Sequence, residues 1–248
     1  MASLFDEFVI RPIGEPLFSL GGHPVAFTNS ALFMFISVAL CTWLMVAAMR
    51  PQAVVPGRWQ MIVEKLYDLV TGMLESGAGE KAKPFFPLIF TIFIYIFFCN
   101  LTGLLPWALP VTAHVIVNLG IALILFLIIV VTGFVRHGTH FLSLFVPRGA
   151  PMAVMPVMIF IEVFSFSVRP FSLSIRLFGN MLAGHLVLGV FAGFIATLLT
   201  AGWLAGFSVL PLFADVAVFA FEFFVAFLQA YIYAVLASVY LHDAIEMH

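Results

Sequence analysis

The chain has 248 residues, of which 64% are hydrophobic and only 9% charged, against roughly 25% charged in a soluble globular domain. Its 10 Lys and Arg nearly balance 12 Asp and Glu, which excludes a basic surface for nucleic acid and an acidic one for a cationic substrate, and the composition places the chain in a bilayer. Cys41 and Cys99 both sit inside long apolar runs, where neither a disulfide nor a CxxC-type metal site is expected and small apolar packing is.

The start, MASLFDEFVI, is acidic and lacks the basic region of a cleaved signal peptide, so residues 1–30 read as a short retained external tail. Residues 31–49 are 19 consecutive uncharged, mostly apolar residues, about the length that crosses a hydrocarbon core of roughly 30 Å as a helix. Over residues 56–80 the pattern changes. Trp59, Ile62, Val63, Leu66, Val70, Met73 and Leu74 recur at helical spacing among Glu64, Lys65, Asp68 and Glu75, which predicts an amphipathic helix lying at the interface. From Pro84 to Val135 there is no Asp, Glu, Lys or Arg in 52 residues, and LTGLLPWALPVTA supplies Gly, Pro and an interfacial Trp107 midway; two spans, 85–105 and 112–135, follow.

After a polar connector from Arg136 to Arg148, apolar character runs over 151–199 and again over 205–242, divided only by TAGWLAG. A 45-residue helix is about 68 Å long, more than twice the bilayer core. Pro156, Pro170 and Pro211 permit kinks, yet no polar turn divides either segment, so two long, steeply tilted helices forming a hairpin are expected. The fold class is therefore an all-α membrane protein with about five membrane-embedded helices plus one interfacial helix, in a single membrane domain. Arg50, Arg58, Lys65, Lys81 and Lys83 share the first connector and Arg136 and Arg148 the third, while the outer tail has only Arg11. The positive-inside rule then puts the N-terminus outside and the C-terminus in the cytoplasm.

Few ionisable groups remain at membrane depth: Glu162, Arg169, Arg176 and Glu222, with Asp215, His114 and His185 as depth-uncertain cases. Each central charge costs roughly 2.5–3.5 kcal/mol on translocon scales, and such residues usually mark ion paths. Glu162, Arg169 and Arg176 step by seven, nearly two helical turns, and Asp215, Glu222 and Gln229 repeat that step on the last helix. Two polar stripes on neighbouring helices form one candidate functional surface. The competing reading is a structural network, Glu162 with Arg169 and Glu222 with Arg176, although a buried pair commonly loses as much to desolvation as it gains.

Asn180 lies one turn after Arg176, among Gly179, Ala183 and Gly184, small residues that admit either a functional close approach or ordinary helix packing. For Ser165, Ser167, Ser172 and Ser174, hydroxyls bonding back to the helix backbone are expected. His185 falls on the face opposite Arg176, where an imidazole with an ordinary pKa of about 6.5 can exchange protons; a haem ligand or a hydrogen-bonded core histidine is the alternative. His114 and Asn118, at i and i+4, either line a wet vestibule or cap the start of their helix. His242 and His248 are expected to be solvated in a cytoplasmic tail.

The segment LSIRLFGNMLAGH, with Glu222 and FLQAYIYAVLASVYL downstream, closely resembles the a subunits of rotary F-type ATP synthases, and the likeness runs over essentially the whole chain. The resemblance implies that Arg176 is the stator arginine facing the carboxylate on a rotating ring of c subunits, with Asn180 and Gln229 as its polar neighbours. It further implies that His185 and Glu222 are a coupled pair in the proton access path, and that Glu162 and Arg169 lie nearer the cytoplasmic end. In some bacterial members the acid and the imidazole stand in exchanged order, and at His114 many relatives carry a different polar residue.

On that resemblance the chain works in the bacterial inner membrane as a proton-translocating stator, with two aqueous half-channels and an arginine gate that couples proton flow to rotation. It would bind the c-ring, peripheral-stalk b-type subunits and the remaining synthase subunits, catalyse nothing by itself, and need no cofactor or metal. Two rivals come from other classes. A secondary transporter is expected to show inverted repeats and paired broken helices, which the sequence lacks. A haem-bearing respiratory subunit needs facing axial histidines, and only His114 and His185 lie at depth, on poorly matched faces.

Overall fold

The computed structural model describes residues 9–15, 18–20, 23–50, 56–105, 108–146 and 154–245. Trp107, Arg148 and His248 lie outside them. Among the described residues there are six α-helices: α1 (Asn29–Met49), α2 (Arg58–Ala78), α3 (Phe86–Gly103), α4 (Val115–His137), α5 (Met155–Thr200) and α6 (Val209–Ile245). Short 3-10 turns precede α3, α4 and α6 and follow α4. Five of these helices, α2 excepted, are long and apolar enough to cross a membrane. The N-terminal tail adds a small departure from an all-helical chain, a pair of three-residue antiparallel strands, β1 (Phe18–Leu20) and β2 (His23–Val25), with Ser19 opposite Pro24.

Helix α5 runs unbroken for 46 residues through Pro170. At 1.5 Å per residue it is about 69 Å long, which obliges it to tilt steeply or to leave a core of roughly 30 Å. Gly202, with φ of 63°, closes the helix in a conformation that an L side chain rarely adopts. Many large apolar side chains are left uncovered, among them Ile116, Val135, Phe160, Phe164 and Leu210. On a soluble protein they would be a liability; facing hydrocarbon they are ordinary.

The helices divide between two packing units, each of which takes part of α3, α5 and α6. The first combines α1 with Ile94–His114 and Leu177–Ala230. Its core includes Leu104, Ala113, Met181 and Ala226. A Cβ at Gly103 would meet the terminal methyl of Met181, which would have to move aside. The Ser37 and Thr102 hydroxyls lie 2.7 Å apart, and Thr102 also donates to its own helix at the Phe98 carbonyl. These bonds satisfy polar groups where water is scarce.

The second unit combines α2, the start of α3, α4, Met155–Arg176 and the end of α6. The apolar stripe of α2 splits in two: Val63, Val70, Met73 and Leu74 are buried, whereas Trp59 and Ile62 are exposed. The buried half packs against protein and the exposed half is left for the membrane interface. Tyr67 of α2 tilts over Phe86 of α3 at 4.6 Å between ring centroids. The 3-10 turn Gly138–Phe145 folds back so that Phe141 fills the space beside Gly133. His137 Nε2 lies 3.0 Å from the Ile245 carbonyl oxygen. His242 is half-buried near that end of α6, correcting the expectation that it is solvated. Its Nδ1 is shut off from solvent where this helix end packs close to His137.

Candidate functional site

In the first unit, α3, α5 and α6 converge on a pocket of about 20 Å³, enough to hold one water molecule. Asn100, Asn180, Glu222 and Gln229 supply its polar lining, and Met181 and Ala226 part of its apolar wall. The helical register explains the grouping. Glu222 and Gln229 lie seven residues apart and project from one face of α6, while Asn180 and Met181 project from α5 towards them. Gly184, one turn on from Asn180, lies against the Glu222 carboxylate, so a Cβ there would meet Oε1. From the Gly184–Glu222 contact to the cluster of Met181 with Ala226, the two helices advance in opposite directions. That is the antiparallel hairpin.

Glu222 is 8% exposed and its Oε2 has no hydrogen-bond partner among the described residues. A carboxylate is kept at such depth only with a proton, a hydrogen-bonding partner or a compensating charge. The small pocket beside it has room for such a partner. Asn100 is 1% exposed; it donates Nδ2–H to the Ala226 carbonyl at 3.2 Å and leaves Oδ1 buried without a partner. Asp215, half-buried and two turns before Glu222 on the same stripe, likewise has an unpartnered Oδ1. His185 immediately follows Gly184 on α5 and is half-buried.

Asn100 was not among the residues singled out from the sequence. The signal was there, since an amide in FFCNLTG is an exception inside an otherwise apolar span. Its partner is 126 residues away, a separation that helical spacing cannot reveal.

In the second unit, Arg169 Nη1 donates to Asp243 Oδ2 at 2.9 Å. Its guanidinium also lies 5.0 Å from the Phe166 ring centroid and 4.6 Å from that of Tyr240. The competing network that paired Glu162 with Arg169 is therefore not formed. The acid that reaches Arg169 comes from α6, and half-buried Glu162 makes no ion pair among the described residues. Arg176 stands apart from all of these. It is exposed, at the middle of α5, and among the described residues it has neither an ion-pair nor a hydrogen-bond partner.

His114 is the last residue before α4, in extended backbone, with Nδ1 3.3 Å from the Pro110 carbonyl oxygen. Asn118, one turn into α4, is fully buried. Of the serines, Ser167 bonds back to the Val163 carbonyl at 2.8 Å, whereas Ser174 donates to the Val115 carbonyl, joining α5 to the start of α4. Among the small residues, Gly184 meets a neighbour and Gly179 has open space where a Cβ would stand.

Residues 31–242 match the family model described as ATP synthase A chain. Over 243 residues the chain is 47% identical to ATP synthase subunit a of Parvibaculum lavamentivorans, covering 97% of this chain and 92% of that protein. It is 46% identical to ATP synthase subunit a of Rhizobium rhizogenes, with 98% and 95% covered, and 48% identical to that of Xanthobacter autotrophicus, with 93% and 92% covered. With the polar pocket and nearly the whole of the six helices inside the matched region, the chain belongs to the ATP synthase A chain family.

Proposed function

We propose that the chain is the proton-translocating stator subunit of an F-type ATP synthase, acting beside a ring of c subunits in a bacterial inner membrane. The observation that carries this reading is the exposed Arg176, a permanent cation halfway along a 46-residue apolar helix with no partner among the described residues of its own chain. A charge so placed is costly unless something outside the chain compensates it. A rotor carboxylate is that compensation.

The mechanism follows from elementary electrostatics. A c-ring carboxylate in lipid carries a proton, because desolvation disfavours its ionised form. Beside Arg176 the fixed positive charge favours ionisation, and the proton leaves into one half-channel. Before the carboxylate returns to lipid it takes another from the opposite half-channel. A guanidinium keeps its charge, so Arg176 blocks a direct leak between the two routes. His185 and Glu222 act as a coupled pair on the outer route, with Asn180 and Gln229 beside the gate and His114 and Asn118 towards the outer mouth. Glu162 and Arg169 lie on the inner side.

In this reading the chain has no catalytic group of its own and couples to ATP synthesis through the rotor. It is held by peripheral-stalk b-type subunits, with its N-terminus outside and its C-terminus cytoplasmic. The test is Arg176→Ala in the whole complex. Proton-driven ATP synthesis is lost while the complex still assembles; normal synthesis in that variant contradicts the gate.

A further inference from the structure

Arg169 and Arg176 share one stripe of α5, seven residues apart. That spacing corresponds to about 10.5 Å along the axis and a rotation of only about 20°. Two bare cations so placed would both attract a rotor carboxylate. The structure treats them differently. Arg176 is open, whereas Arg169 is bonded to Asp243 at 2.9 Å and lies close to the rings of both Phe166 and Tyr240. The aromatic pair fixes the guanidinium in place, and the carboxylate cancels its charge without removing it from the helix.

We propose that Asp243 is a positioning residue that neutralises Arg169, so that Arg176 is the single uncompensated cation a rotor carboxylate meets along α5. This inference rests on the reading of Arg176 as the stator charge. Without the shield, a carboxylate moving off Arg176 would find a second cation about 10 Å away. At an effective dielectric constant of about 20, a unit charge at that distance changes an ionisation or pairing equilibrium by about tenfold. The carboxylate would stay ionised where it must regain a proton, and the ring would pause.

The experiment uses inverted membrane vesicles carrying the complete synthase, with ATP-driven proton pumping read by dye quenching and assembly read from the a subunit that co-purifies with the complex. Asp243→Asn assembles and pumps about tenfold more slowly. Asp243→Glu, which keeps the charge, pumps far better than Asp243→Asn. Adding Arg169→Gln to Asp243→Asn recovers most of the lost pumping, because the exposed second cation is gone. If the double variant is as slow as Asp243→Asn, or Arg169→Gln alone is the slowest of the three, the pair is a structural clamp and the proposal is overturned. Normal pumping by Asp243→Asn also overturns it. Should Asp243→Asn fail to assemble, the double variant decides, since it must restore both assembly and pumping. The stator reading is judged separately, by Arg176→Ala.

Discussion

Glu222 and Gly184 are matched as a pair. The carboxylate occupies space that any side chain at position 184 would need, so the glycine allows α5 to approach an acid that must stay sheltered. Gly184→Val displaces that carboxylate, and overpacking of this kind costs about 1–3 kcal/mol; the expected outcome is a subunit that leaves the complex at a lower temperature in a thermal dissociation assay. Asn100→Leu removes the bond to the Ala226 carbonyl and one polar wall of the pocket. Proton pumping in vesicles should fall several-fold with assembly retained, and unchanged pumping would show that the pocket plays no part. Exchanging His185 and Glu222 should keep more activity than changing either to Ala; the opposite order argues against a coupled pair. Much of this constellation was legible in advance. Glu222 and Gln229 were linked by a seven-residue step, and Asn180 by its place one turn after Arg176. Asn100 and Asp243 were not, because their partners are 126 and 74 residues distant, and such contacts belong to helix packing rather than to spacing along the chain.

The helices themselves were easier to read than their contacts. Long runs without a charge can be satisfied only by a helix that pairs its own backbone groups in lipid, and this alone distinguishes five apolar helices from the amphipathic α2. Pro170 illustrates the limit of local rules. Proline removes a helical N–H and commonly kinks or ends a helix, yet α5 continues through it. Packing supplies part of the reason, with Ser174 bonded to the start of α4 and Arg169 tied to α6 on either side of that turn. For α2 the stripe pattern announced a helix but not that Trp59 and Ile62 would stay exposed while Val63, Val70 and Leu74 on the same helix are buried. If Glu64 and Lys65 of this helix lie at the membrane interface as proposed, replacing either with Ala should change the yield of assembled complex at most. An assembled complex with its proton path lost would refute that placement.

For the molecule as a whole, the two longest apolar helices, α5 and α6, carry most of the ionisable groups that fall inside candidate membrane spans. Along α5 the charges form an order: among the described residues Glu162 has no ion pair, Arg169 is paired with Asp243, and Arg176 has no partner. The central claim is that the bare arginine faces the rotor, and disulfide trapping tests it directly. In a complex with Cys41 and Cys99 replaced by Ala, cysteines are placed at Ser172 or Gly179, which flank Arg176 within about 60° on the same face, or at Phe171, about 140° round the helix. A second cysteine is placed beside the carboxylate on the c-subunit helix. A disulfide forms readily only when Cα atoms come within roughly 7 Å. The account predicts rapid a–c cross-links from positions 172 and 179 and little or none from 171; cross-links from 171 alone would contradict it.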